Sequence, residues 1–219
     1  MPDTTTTSRS AEITTIDIGA ATWREFTIPG SNTPVHLTRL GAHPDGGFDV
    51  LVRFPTGWSR PGPGHYDAIE EVTFIAGGFR MSGRTYRAGD YGWFPTSFTR
   101  TDSAAPTGAL ALAWFSQPNE WSESVSPAAE AAADGLELAT WTEAETATSP
   151  LGVTGWALRR AADRETWIVQ SVPEQTDVPA GIARVDLFDL AGHRWHTVPA
   201  GATLPAVEPG PVWARVIMR

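Results

Sequence analysis

Cysteine is missing from this sequence, and so is lysine. The first absence excludes disulfides, thiolate metal sites and cysteine nucleophiles. The second excludes Schiff-base chemistry and a phosphate-loop lysine, because all 16 basic residues are arginine. An excess of positive charge is missing too. A net charge of −9 argues against a nucleic-acid partner, which needs a basic face to meet phosphates. No apolar run approaches the ~20 residues that span a bilayer, so no membrane partner is expected. Gly-x-Ser-x-Gly, His-Glu-x-x-His and dinucleotide fingerprints are all lacking, which leaves hydrolase-triad, zincin and nicotinamide readings without support.

What is present is turn chemistry and aromatic bulk. The 219 residues include 21 glycines, 18 prolines and 10 tryptophans. A disordered chain would be poor in aromatics, so this composition points to a turn-rich globular protein of the all-β class. Short segments such as His36–Leu40, Phe48–Phe54, Glu71–Ala76 and Ala109–Phe115 are rich in β-branched, aromatic or aliphatic residues. Clusters such as Pro44-Asp45-Gly46-Gly47, Pro61-Gly62-Pro63-Gly64 and Gly77-Gly78 separate them. That spacing predicts a sandwich or barrel.

Residues 1–15 are threonine-rich and lack the apolar stretch of a signal peptide, so they read as a disordered tail and the chain as cytoplasmic. One helix is expected, with Ser126 as its cap, Pro127 in the first position, Ala128–Ala133 following and Gly135 as the stop. Residues 119–139 then form a linker between a first β unit, 16–118, and a second, 140–219. A weak internal repeat supports two units. Val72–Gly78, Arg87-Ala-Gly and Pro95 are echoed by Val185–Gly192, Pro199-Ala-Gly and Pro205.

The stretch that carries chemistry runs from Gly64 to Gly78. His65 and Asp67 are two residues apart, which on a strand places them on one face. A hairpin would bring Glu71 beside them, and imidazole plus carboxylates facing a cavity is a divalent-metal donor set. Glu70 then faces away, as a surface residue or one that supports the ligands from behind, unless a bulge reverses the phase. His36 and His43 read as surface or turn residues rather than extra ligands. His193 and His196 read as part of a polar turn. Trp58 and Arg60 read as a connector ahead of the Pro-Gly loop.

These residues resemble the cupin superfamily. Its first motif is His-x-His, three or four residues, Glu, six residues, Gly. Here His65-x-Asp67 is followed by three residues, Glu71, six residues and Gly78. The second motif is Gly, five residues, Pro-x-Gly, two residues, His. Here Gly89 is followed by five residues, Pro95-x-Ser97, two residues and Arg100. The pattern looks most like cupins similar to the C-terminal domain of ChrR-type anti-sigma factors. The resemblance implies a cupin-type double-stranded β-helix, or jelly roll, with two barrels in tandem and the second degenerate. It also implies a homodimer.

Two readings of the inherited site stay open. In one, His65, Asp67 and Glu71 hold Fe, Mn, Ni or Zn. Arg100 then orients a small anionic or carbonyl-bearing substrate, and Tyr66, Trp93 and Phe98 shape an apolar pocket. Dioxygenation is the reaction expected, with isomerisation or cyclisation next. In the other, Arg100 pairs with Asp67 and Glu71 and the barrel binds a ligand without metal, as a sensor would, or merely packs.

Overall fold

The computed structural model describes residues 12–43, 46–172 and 176–219. Most of the expected tail, residues 1–11, and the Pro44-Asp45 half of one predicted turn lie outside them. The chain divides into two compact units. A central unit spans 20–144, and a terminal unit joins residues up to Gly19 to 145–219.

The elements alternate strand and turn, as the Pro/Gly punctuation predicts. β1 (Thr14–Asp17) belongs to the terminal unit. The central unit then carries β2 (Arg24–Phe26), β3 (Val35–Ala42), β4 (Phe48–Phe54), β5 (Trp58–Arg60), β6 (His65–Tyr66) and β7 (Glu70–Met81). It continues with β8 (Arg84–Arg87), β9 (Asp90–Phe94), β10 (Ser103–Ala105), β11 (Ala109–Phe115), β12 (Trp121–Ser122), helix α1 (Ala129–Asp134) and β13 (Glu137–Thr140). The terminal unit resumes with β14 (Glu145–Thr148), β15 (Thr154–Arg160), β16 (Arg164–Val169), β17 (Ile182–Asp189), β18 (Arg194–Pro199) and β19 (Val212–Met218). Among the described residues no helix is long and apolar enough to cross a membrane.

The main path of the central sheet runs β13-β9-β7-β11-β4-β3-β2, and every neighbouring pair is antiparallel. β5 joins through β10, which also bridges to β7. Along β4 the side chains of Phe48, Val50, Val52 and Phe54 share one face, and the central core gathers them with Trp58, Phe74, Phe79 and Phe94. The long strand β7 changes phase along its length. Val72 and Phe74 enter the core, and further on Phe79 and Met81 do. Between them the pairing with β11 shifts register, and Gly77 takes a positive φ of 75°. A Cβ at Gly77 would stand 2.2 Å from the Gly108 carbonyl oxygen, so only glycine fits there.

Three expectations change. Thr14 and Thr15, assigned to the tail, pair with Thr197 and His196 as part of β1. The stretch 119–139 contains paired strand. Trp121 and Ser122 bond to β6, and Glu137 onward extends the central sheet beside β9. Its apolar and β-capable residues find a sheet edge, which alanine content alone does not reveal. The helix starts at Ala129, and the Ser126 hydroxyl accepts the N–H of Ala128 instead of capping the helix itself.

The terminal unit forms a seven-stranded antiparallel sheet ordered β1-β18-β17-β19-β16-β15-β14. Its core is apolar, built on Trp167, Val185, Leu187, Val198 and Val216. A buried ion pair lies in the same sheet, where Arg215 Nη2 donates to Asp186 Oδ2 at 2.7 Å. His193 sits in a turn with φ of 53°. His196 departs from the expected polar turn: it is buried on β18 and hydrogen-bonds Thr15 Oγ1 through Nδ1 at 3.0 Å. Burial pushes its pKa below the usual imidazole value, and Arg194 lowers it further.

That shift has a defined sign. The folded state holds His196 neutral, while the unfolded chain takes up a proton near pH 6.5. Stability contributed by the neutral ring is therefore full above about pH 6.5 and declines as pH falls below it. Urea midpoints at pH 7.5 and pH 5.5 should differ more for the wild type than for His196→Gln. Equal differences would assign the acid sensitivity to other groups.

Candidate functional site

The central barrel encloses a cavity of about 60 Å³, small and mostly apolar. Four polar side chains line it: Arg60, Tyr66, Glu70 and Arg100. Trp58, Val72, Phe74, Phe79 and Phe94 supply much of the wall. Among the described residues no histidine lines it.

Each polar group is delivered by strand alternation or by its turn. Glu70 opens β7 in phase with Val72 and Phe74, so its carboxylate points where their side chains point. Trp58 and Arg60 stand two apart on β5 and are both buried. Arg100 is fixed by its backbone, which exchanges two hydrogen bonds with Gly64 at 3.0 and 2.7 Å. Tyr66 comes from β6, whose partner is β12.

The charges are unequal. Arg100 Nη2 meets Glu70 Oε2 at 2.6 Å, in a pair whose side chains are 2% and 15% exposed. Arg60 lies beside the Tyr66 phenol, and its guanidinium lies 3.5 Å over the Trp121 ring. Arg100 stacks over Tyr66 and Phe94 at 4.8 and 5.1 Å. These rings offset part of the cost of burying cations. The lining still holds two cations against one carboxylate. Among the described residues, Arg60 Nε and Nη1, Arg100 Nε and Trp58 Nε1 are buried donors without acceptors. Burial lowers the Arg60 pKa; Tyr66 opposes this and Arg100 reinforces it. Burial also raises Tyr66, so the phenol keeps its proton at neutral pH.

The residues expected to hold metal do not converge. His65 and Tyr66 pair with β12 rather than with β7, so no hairpin carries Glu71 back to them. His65 Nδ1 lies 3.0 Å from the Ser124 carbonyl oxygen. Asp67 is exposed, and its Oδ1 accepts the Glu120 N–H at 2.7 Å. Glu71 is buried on the opposite face of β7 from the cavity, where it accepts a bond from Tyr91 Oη at 3.2 Å. Inside the cavity a metal would find only the Glu70 carboxylate, already held by Arg100, beside two permanent cations. That donor set does not fit a divalent ion.

The expected pocket residues divide. Tyr66 lines the cavity, whereas Trp93 stands on Glu71's face and stacks on Trp114 with centroids 6.0 Å apart. Phe98 is buried against Phe94 behind the wall. Arg100 pairs with Glu70 rather than with Asp67 or Glu71. Arg60 and Glu70 are the additions, and both were marked by alternation: Trp58-x-Arg60 and Glu70-x-Val72-x-Phe74. His36 lines a shallow surface pocket. The His43 side chain is buried, with Nε2 2.6 Å from Asp49 Oδ2, so one histidine and one carboxylate of metal-ligating type do meet outside the cavity.

The Arg100–Glu70 pair gives a sharp stability test. Glu70→Gln should cost about 3 kcal/mol in urea unfolding, because it leaves a buried guanidinium without its carboxylate. Glu70→Leu combined with Arg100→Met should cost less than the sum of the single changes. Additive costs would show that the two side chains do not depend on each other.

No family model matches the chain, and no curated protein matches its sequence. Solved structures do match its shape. A "putative dioxygenase" from Nostoc punctiforme superposes with a TM-score of 0.79 at 14% identity, over 94% of this chain and 83% of that one. The putative glyoxylate-induced protein of Pseudomonas aeruginosa gives 0.61 at 9% identity, over 94% and 88%. A mutant of Bacillus subtilis oxalate decarboxylase gives 0.53 at 15% identity, over 99% of this chain and 79% of that one. With its antiparallel, nearly all-β architecture, the chain has the cupin fold of jelly-roll barrels.

Proposed function

We propose that the central barrel binds a small molecule carrying one negative charge, a carboxylate or the enolate of a carbonyl compound, between Arg60 and Arg100. One observation carries the reading: two buried guanidiniums share a cavity with a single carboxylate, and three of their nitrogens lack acceptors among the described residues. A buried, unpaired charge costs several kcal/mol. A monoanion supplies both the missing charge and the missing acceptors, and a planar guanidinium suits a carboxylate's two oxygens.

The position of Glu70 supports an enzymatic form of the same reading. An enolisable carbonyl compound would place its oxygen against the guanidinium donors. Glu70 would take the proton from the adjacent carbon, and the arginines would stabilise the resulting enolate. Return of that proton to a different carbon gives an isomer, with no other reactant consumed. Tyr66, held protonated, would donate a hydrogen bond to the same oxygen. Dioxygenation, the reaction expected from the sequence, draws its support from the fold shared with the Nostoc protein. It would need a metal centre, and the cavity's side chains do not supply one. The terminal unit, with its apolar core, fits the role of a second, degenerate barrel that serves structure.

Calorimetric titration with acetate at constant ionic strength tests the binding claim. Acetate should bind the wild type, and Arg60→Gln should weaken it at least tenfold. Arg100→Lys keeps a cation for Glu70 but loses the fork, and should weaken acetate severalfold. Acetate binding that ignores both changes would overturn the proposal. So would elemental analysis finding one transition metal per chain that disappears in His65→Ala.

A further inference from the structure

The cavity is too small for a whole substrate. At about 60 Å³ it has room for a few water-sized groups. It accommodates a carboxylate but not the body that bears one. A second depression adjoins it and shares Ile28, Val52 and Tyr66 with its lining. This groove has a volume of about 280 Å³, and Phe26, Leu37, Phe48 and Phe115 form much of its apolar wall. Together the two spaces reach the ~300 Å³ at which small-molecule sites begin.

The polarity of the two compartments differs in a consistent direction. At the inner end stand the guanidiniums of Arg60 and Arg100. Along the groove the apolar faces of β3 and β4 continue outward to Phe26, which is 52% exposed. Among the described residues, the one charged side chain lining the groove is Arg39, whose guanidinium lies 4.8 Å from the Phe48 ring centroid. That cation disfavours a positively charged tail and favours approach of an anion. Asn119 and the shared Tyr66 are uncharged polar residues of its lining.

Resting on the anion-binding reading above, we infer that the ligand is an amphipathic carboxylic acid, its carboxylate between Arg60 and Arg100 and its hydrocarbon or aryl body in the Phe26–Phe115 groove. Tyr66 lies at the junction and lines both spaces, so the same ring that packs beneath Arg100 also marks where head gives way to tail. Affinity then has two separable sources. The head is recognised by charge and hydrogen bonds, and the tail by apolar area removed from water.

Titration with acetate, butanoate, hexanoate and octanoate at constant ionic strength reads the two sources apart, with 1-octanol as the uncharged control. The expected result is a two- to fourfold gain in affinity per added methylene. Octanol should bind at least tenfold more weakly than octanoate. Leu37→Trp, which fills the groove, should flatten the series while leaving acetate unchanged, and unchanged acetate binding also certifies the fold. Phe26→Ala, at an exposed position, should weaken octanoate severalfold and spare acetate. If acetate binds but the series is flat, the groove inference fails and the anion site stands. If no member binds, or octanol equals octanoate, the anion-binding reading fails and takes this inference with it.

Discussion

Two guanidiniums buried in an aromatic barrel with one carboxylate between them are the constraint on which the rest of the central unit depends. Such charges persist only where the surroundings hold them. Here aromatic faces lie under both cations, Gly64 fixes the backbone of Arg100, and Glu70 takes one guanidinium nitrogen. The remaining donors point to a ligand with acceptors. Folding and binding are thereby linked, because whatever anion satisfies the arginines also relieves the cost of burying them.

The long strand β7 organises this arrangement. Its first residues set Glu70 inward and Glu71 outward, and the glycine-bearing irregularity near Gly77 then reverses the phase so that Phe79 and Met81 continue the core. One strand can therefore carry a cavity carboxylate at one end and a purely apolar wall at the other. The cupin fold supplies the enclosure, but the chemistry inside comes from side chains at particular phases, and here those are cationic.

Much of the fold was legible in the sequence. Phe48–Phe54 and Ala109–Phe115 coincide with β4 and β11, because short apolar runs between Pro/Gly clusters have few alternatives to strand. The candidate site was legible only in part. Motif spacing counts residues and does not report faces, so it selected Glu71, whereas the alternation Glu70-x-Val72-x-Phe74 tells which carboxylate lines the cavity. His65 and Asp67 take their partners from Ser124 and Glu120, more than fifty positions downstream, and local spacing says nothing of such contacts. Arg60 was read as part of a connector because the following Pro-Gly loop dominates its neighbourhood. Its two-residue spacing from a core tryptophan was the better signal.

The central claim is that Arg60 and Arg100 keep guanidinium donors in reserve for an anion. Nuclear magnetic resonance of the arginine Nε–H groups observes those donors directly. Titrating acetate into the protein should shift the Arg60 and Arg100 Nε–H resonances together, saturably, and slow their exchange with solvent, while other arginines stay in place. Resonances of both arginines that do not move at saturating acetate would contradict the account.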